Sequence, residues 1–386
     1  MVRTILYIHQ SAELYGSDKT LLYLTKEINF LKDFKVVVVL PNNGPLKEEL
    51  EQYGVKVITS PVIKVSRSMF TPKNLLLLPL TIFTAIKTLE KELDGLKVDI
   101  VHSNTLAVLL GAFYAKKNRI RHIWHVHEII KKPKVIYKAF PVLLNLFSEV
   151  VVYNSRETMK FWNANRPGLA QKSHVILNGL DRSMPPSTKE EVERIRKTLF
   201  GFGKDEIVVG LIGRINHWKG QELMLEAFNL LKKTFDNLKL VFVGSAYEGK
   251  EYLVTQLQNK IEEYRLNDDC KIIPFQKDIW PIWDSLDIAV VASTEPEPFG
   301  LVAVEAMLSK KPVVAAGHGG LLEIVDNGRT GYFFEPNSIQ DLTAKLADLI
   351  ADKERTLSFG ENGFKKASVD FSSKKYVEKF TELYTS

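Results

Sequence analysis

The chain has 386 residues, 45% of them hydrophobic and 25% charged, with a formal net charge of +6 and one cysteine, Cys270. The length exceeds one typical core and suits two, and the composition is that of a globular protein, not a fibrous or disordered one. A single cysteine excludes an intrachain disulfide and fits a reducing, cytoplasmic setting.

From the N-terminus, Arg3 leads straight into the apolar run Thr4–Ile8, which has the pattern of a buried strand and not of a secretory signal. Similar β-branched runs follow at Val36–Leu40, Val55–Ile58, Ile100–His102, His122–Val126, Val150–Tyr153 and Val175–Leu177. They lack polar alternation, as strands buried on both faces of a parallel sheet do. Helical patterns such as Ser17–Leu31 and Pro72–Leu93 separate them. The apolar stretch Leu75–Ile86, interrupted by Pro79, is shorter than the roughly 20 residues that span a bilayer. Between Lys116 and Lys138 basic residues crowd together (Lys116, Lys117, Arg119, Arg121, Lys131, Lys132, Lys134, Lys138) against one acid, Glu128. Around 181–204 the pattern lapses, with Pro185-Pro186 and Gly201-Phe202-Gly203 bracketing the charged helix Lys189–Leu199. The alternation then restarts with Ile207–Ile212, Leu240–Val243, Ile272–Pro274, Ile288–Val291 and Val313–Ala315, and with helices at Gln221–Thr234 and Leu301–Ser309. The fold class expected is α/β with two Rossmann-like domains: residues 1–180, a linker over 181–204, and residues 205–369. Ligands belong at the carboxyl ends of the strands.

The strongest chemical signals lie in the second half. Gly213-Arg214-Ile215 ends its first strand, and Lys219-Gly220 opens the next helix. A glycine there permits close backbone approach, and two cations at a helix N-terminus suit a diphosphate. Further on, Glu297-Pro298-Phe299-Gly300-Leu301-Val302 leads into a helix carrying Glu305. Amides of Gly300, Leu301 and Val302 would face an anion. The carboxylates of Glu297 and Glu305 repel phosphate and therefore call for sugar hydroxyls as partners. Gly317-His318-Gly319-Gly320, ahead of Glu323, is a third glycine-rich turn on the same edge. In the first half, Tyr15-Gly16-Ser17 opens a helix, either as a second approach to phosphate or simply with Ser17 as its cap. In His125-Val126-His127-Glu128 the two histidines share a strand face. No convincing further ligands accompany them, so no metal site is expected.

These residues resemble glycosyltransferase family 4, the retaining GT-B enzymes of the glycosyl transferases group 1 type. The Glu297 and Glu305 pair is similar to that family's Glu-x7-Glu motif, and Gly213-Arg214 with Lys219-Gly220 to its phosphate motif. Asn178-Gly179-Leu180-Asp181, Lys311-Pro312-Val313-Val314 and Gly319–Val325 match its other signatures. The resemblance implies two Rossmann-like domains across a cleft, with the C-terminal helix, about 370–386, crossing back to an N-terminal acceptor domain. It implies that Arg214 and Lys219 bind a nucleotide-sugar diphosphate, Glu305 the ribose, Glu297 the transferred sugar, and Phe299–Val302 the sugar and phosphate through their amides. His127, preferred to His125, stands as the N-terminal active-site histidine. Tyr15-Gly16-Ser17-Asp18 stands where many members have Gly-Gly, a small residue and Glu. Catalysis then falls to His127, Glu297, Arg214 and Lys219, with no cofactor beyond the nucleotide-diphosphate sugar. The absence of any Asp-x-Asp agrees with metal independence. The partners implied are a nucleotide-sugar donor and a glycan or lipid-linked acceptor in polysaccharide biosynthesis. Charge and apolarity in the first domain suggest peripheral contact with an anionic membrane. A GT-B nucleotide-sugar epimerase and a non-catalytic carbohydrate-binding subunit are the alternatives. A nicotinamide oxidoreductase lacks its Gly-x-Gly-x-x-Gly, and nucleic-acid binding lacks a recognised module.

Overall fold

The computed structural model describes residues 2–65, 69 and 71–386, with Pro72 and Leu75 described by their backbone alone. It divides into two compact units: the chain up to Gly179 together with Ser373–Ser386, and Leu180–Ser372.

The first unit is built on seven parallel strands: β1 Arg3–His9, β2 Phe34–Leu40, β3 Lys56–Thr59, β4 Ile100–Asn104, β5 Arg121–Val126, β6 Val150–Tyr153 and β7 Ser173–Val175. Their order is β3-β2-β1-β4-β5-β6-β7. The second unit has six: β8 Ile207–Ile212, β9 Leu238–Val243, β10 Cys270–Ile273, β11 Ile288–Val291, β12 Val313–Ala316 and β13 Gly331–Phe334, ordered β10-β9-β8-β11-β12-β13. Helices cover both faces, which is why runs such as Val36–Leu40 and Val208–Leu211 are buried throughout. The strand order reverses between β1 and β4 and between β8 and β11, the switch points where open α/β sheets gather ligands.

Some elements differ from the sequence reading. Strand β13 has no counterpart in it. Gly331-Tyr332-Phe333-Phe334 holds no β-branched residue, and only pairing with Val313–Ala316 makes it a strand. Strand β7 closes earlier than Val175–Leu177, because Tyr153 aligns with Val175 and ends the ladder. The segment 181–204, expected as a linker, folds as part of the second unit. Arg182 forks onto Asp284 at 2.8 and 2.6 Å, and Arg196 reaches Asp287 at 2.9 Å and the Ser285 carbonyl at 3.0 Å. Helix Ser373–Thr385 returns to the first unit and lies against β1 and β4. Its Tyr376, Phe380 and Tyr384 are buried there, and the Tyr384 hydroxyl sits 2.9 Å from that of Tyr7 and 2.7 Å from His102 Nδ1.

Among the described residues no helix is long and apolar enough to cross a membrane. Of the apolar stretch Leu75–Ile86, the side chain of Leu75 lies outside the described residues.

Candidate active site

Strands β8 and β11 are hydrogen-bonded neighbours, so the loops leaving their carboxyl ends emerge side by side. The first runs from Gly213 to Gly220. Asn216 Oδ1 accepts the amides of Trp218 (3.1 Å) and Lys219 (2.9 Å), which fixes the loop ahead of helix Gln221–Leu231. Gly220 has φ +78°, and a Cβ there would fall 1.9 Å from the Ala292 carbonyl oxygen, so only glycine lets this turn pack on the neighbouring loop. Lys219 Nζ donates to Glu297 Oε1 at 2.5 Å. The Arg214 guanidinium lies 3.7 Å from the Tyr247 ring centroid, a cation–π seat on a half-exposed face.

The second loop carries Glu297. Ser293 Oγ donates to the same Oε1 at 2.5 Å, so Glu297, although buried, is ionically and hydrogen-bond satisfied. The glycine-rich turn after β12 supports it from behind. The Gly320 amide donates to the Glu297 carbonyl at 2.8 Å, and a Cβ on Gly319 (φ +65°) would meet that carbonyl at 2.3 Å. His318 Nε2 donates to the Ser293 carbonyl at 2.8 Å. Helix Leu301–Leu308 follows with Gly300 as its cap, so the amides of Leu301 and Val302 are first-turn donors without an intrahelical acceptor. Phe299 points into the core against Phe371, which leaves only its backbone to face a ligand. Glu305, also buried, accepts from the Trp283 indole N–H at 3.3 Å. Gly213, Arg214, Lys219, Glu297, Phe299, Gly300, Leu301, Val302 and Glu305 thus stand on two adjacent loops of one sheet edge and on the helix that the second loop opens. They present two cations, two carboxylates and a helix N-terminus. Chemically, such an arrangement can hold a polyanion flanked by hydroxyls.

Gly16, Ser17 and His127 lie in the first unit. Helix Gly16–Phe30 is capped by Tyr15, whose amide donates to Asp18 Oδ2 at 2.9 Å, so Ser17 is a first-turn residue and not the cap. His125 is fully buried in β5 with neither ring nitrogen hydrogen-bonded, its ring centroid 3.9 Å from that of His127. His127, just beyond β5, places Nε2 3.0 Å from Asn104 Oδ1. Burial, reinforced by His9 and opposed by Asp18, pushes its pKa down to about 3, so the ring is neutral near pH 7. Glu128 turns inward, accepting the amides of Leu106 (2.9 Å) and His127 (3.0 Å). Burial raises its pKa in spite of those bonds. Among the described residues no group of three or more His, Cys, Asp or Glu stands together as metal ligands.

Sequence reasoning did not single out Trp283, Ser293 or Tyr247 in the second unit, nor His9 and Asn104 in the first. Trp283, Tyr247 and Asn104 act on residues more than 20 positions away, a relation that no local motif encodes, and Ser293 reaches Glu297 across a loop without regular period. Asp18 was visible only as a departure from the resembled motif.

Two family models lie end to end along this site-bearing chain: Glycosyltransferase Family 4 over residues 16–183 and Glycosyl transferases group 1 over residues 193–366. The chain belongs to the family 4, group 1 glycosyltransferases. This glycosyltransferase is 24% identical over 336 residues to the putative glycosyltransferase EpsD of Bacillus subtilis, with 84% of each chain covered. It is 33% identical over 168 residues to the lipopolysaccharide 1,2-N-acetylglucosaminetransferase of Salmonella typhimurium, covering 42% of this chain and 44% of that one. The crystal structure of Anabaena Alr3699/HepE in complex with UDP-glucose matches with a TM-score of 0.84 and 26% identity, over 99% of both chains. The fold of the glycosyltransferase is GT-B.

Proposed function

We propose that this glycosyltransferase moves a hexose or related sugar from a uridine diphosphate donor, with retention of anomeric configuration and without a metal, to a glycan or lipid-linked acceptor of a cell-surface polysaccharide. The observation that carries the donor assignment is the constellation on the β8 and β11 loops. Lys219 and Arg214 flank the N-terminus of helix Gln221–Leu231, Lys219 reaches Glu297 on the neighbouring loop, and Glu297 and Glu305 stand to either side of the first-turn amides of helix Leu301–Leu308. In this reading Arg214, Lys219 and the amides of Leu301 and Val302 hold the diphosphate and stabilise the charge that develops as it leaves. Glu305 accepts ribose hydroxyls, and Glu297 accepts those of the sugar. Gly16, Ser17 and His127, in the first unit, bind substrate. Uridine is chosen because HepE, at 26% identity over nearly the whole chain, was solved with UDP and with UDP-glucose. The acceptor class follows relatives in lipopolysaccharide and capsular polysaccharide synthesis.

The test is release of UDP from a panel of UDP-sugars in chelator, with oligosaccharide and lipid-linked acceptors, followed by NMR of the anomeric configuration of the product. Transfer with retained configuration supports the reading. Inverted product, or conversion of donor to its epimer without acceptor, overturns it.

A membrane-borne acceptor suits the first unit. Helix Pro72–Leu93 exposes Leu76, Leu80 and Phe83, and helix Lys134–Phe147 exposes Val135 and Leu146. Lys131, Lys132, Lys134 and Lys138 are exposed beside the latter, and Glu128, turned inward, does not offset them. Peripheral docking on anionic lipid is the corresponding proposal. Cosedimentation with phosphatidylglycerol vesicles but not phosphatidylcholine vesicles at low salt is expected, and equal partitioning contradicts it.

A further inference from the structure

Four polar side chains of the first unit form one continuous buried chain. Asp18, in the first turn of helix Gly16–Phe30, sets Oδ1 2.6 Å from His9 Nε2 at the end of β1. Ser11 Oγ and the Tyr15 amide hold the same carboxylate. His9 Nδ1 stands 3.0 Å from Asn104 Nδ2 and also 3.0 Å from the Asn104 backbone carbonyl. Asn104 Oδ1 then stands 3.0 Å from His127 Nε2. His9, Asp18 and Asn104 are 0%, 3% and 1% exposed, so water does not substitute for these partners.

The chain has a direction. Burial alone would raise the Asp18 carboxyl, but the hydrogen bonds it accepts from His9, Ser11 and the Tyr15 amide lower it. An ionised carboxylate only accepts, so His9 Nε2 carries a proton and donates. Asn104 turns its amide NH2, which only donates, toward His9 Nδ1, so that Nδ1 accepts. With its NH2 committed to His9, Asn104 offers its carbonyl oxygen to His127. That oxygen accepts only from a protonated Nε2.

We propose that Asp18 and His9 are positioning residues which, through Asn104, hold His127 as the Nε2–H tautomer and so present its Nδ1 lone pair to a substrate hydroxyl. The inference rests on the reading of His127 as a substrate-contacting residue. The two ring nitrogens of histidine differ in role, and the bond made by one sets the chemistry of the other. The His127 ring, kept neutral by burial, serves as a hydrogen-bond acceptor and not as a cation. Asp18 thereby acquires a role that the amide cap at Tyr15 alone does not explain.

The experiment is two-bond 15N–1H NMR of the holo-length protein labelled at its 8 histidines, without substrate, with His127 assigned by His127→Gln. Wild type is expected to show one Nε2–H tautomer at His127. Asp18→Asn, nearly isosteric, and Asn104→Ala, which removes the link, are each expected to shift His127 towards a mixture of tautomers. A fall in kcat of about tenfold or more is expected with them, and donor KM within about twofold of wild type. Thermal unfolding identifies any variant that fails to fold, and the other then carries the test. A His127 signal that stays in the Nε2–H form in a folded variant, or that is already mixed in wild type, overturns the inference. Full activity of His127→Ala instead overturns the substrate role of His127, an outcome distinct from the tautomer result.

Discussion

Lys219 makes two contacts at once, its ammonium 4.4 Å from the Trp218 ring centroid and 2.5 Å from Glu297 Oε1. Removing it strips a buried carboxylate of its cation, which costs about 1–3 kcal/mol. Lys219→Ala should therefore lower the urea midpoint as well as nucleotide affinity. Adding Glu297→Gln should restore the midpoint, because the amide needs no cation, but not the affinity. Urea titration and calorimetry on the three variants separate the two effects, and recovery of both together would deny Lys219 a ligand role. Arg214, Lys219 and Glu297 could be singled out in the sequence because each sits where a strand meets a helix, beside glycine or proline, and Glu305 because it follows in the next helix among apolar neighbours. Their partners were not. Trp283 reaches Glu305 from 22 residues away and Asn104 reaches His127 from 23, and only the folded sheet brings them together.

At the scale of elements, two glycines that open helices differ in what they tolerate. Gly220 is held at φ +78° against the Ala292 carbonyl, and Gly16 has nothing within 4 Å of a built Cβ. Gly220→Ala should destabilise the protein by about 2 kcal/mol and displace the Lys219 loop. Gly16→Ala should leave the thermal midpoint within about 1 °C and, if its amide serves substrate, reduce turnover alone. Differential scanning calorimetry beside a turnover assay reads both. Equal midpoints for the two variants would contradict the packing account. The strands that the sequence revealed are those with unbroken Val and Ile runs. Strand β13, an aromatic run defined by its pairing with β12, and the exact span of β7, set by Tyr153, depend on neighbours and carry no local period.

At the scale of the whole molecule, the first unit is discontinuous in sequence. A fragment ending at Gly179 would expose the apolar surface that Tyr376, Phe380 and Tyr384 cover, so it should remain soluble only when 373–386 is restored, for instance through a flexible linker. The alternating α/β pattern made both sheets legible, whereas membership of 181–204 in the second unit was hidden because two arginine–carboxylate pairs, not apolar periodicity, secure it. The buried histidines of the first unit make it acid-sensitive. Burial lowers His122 to about 4 and His127 to about 3, and holds His102 and His125 well below their usual range. Below about pH 6.5 the unfolded chain binds more protons at these rings than the folded one, so stability falls with pH. The loss is on the order of 1 kcal/mol per histidine at pH 5.5. Glu128, raised by burial, acts in the opposite sense but is one group against four. Urea midpoints at pH 7.5 and 5.5 check this, and an equal or higher midpoint at pH 5.5 would refute it.

On the proposed function, the β8 and β11 loops form a nucleotide-sugar site in which Glu305 holds the ribose and Glu297 the sugar. Calorimetric titration of UDP and of a UDP-sugar in chelator, on wild type, Glu305→Gln and Glu297→Gln, tests it most directly. Glu305→Gln is expected to weaken both ligands by about tenfold, or about 1.4 kcal/mol, whereas Glu297→Gln is expected to weaken the UDP-sugar and spare UDP. Absence of UDP binding to wild type, or equal affinities across all three proteins, would contradict it.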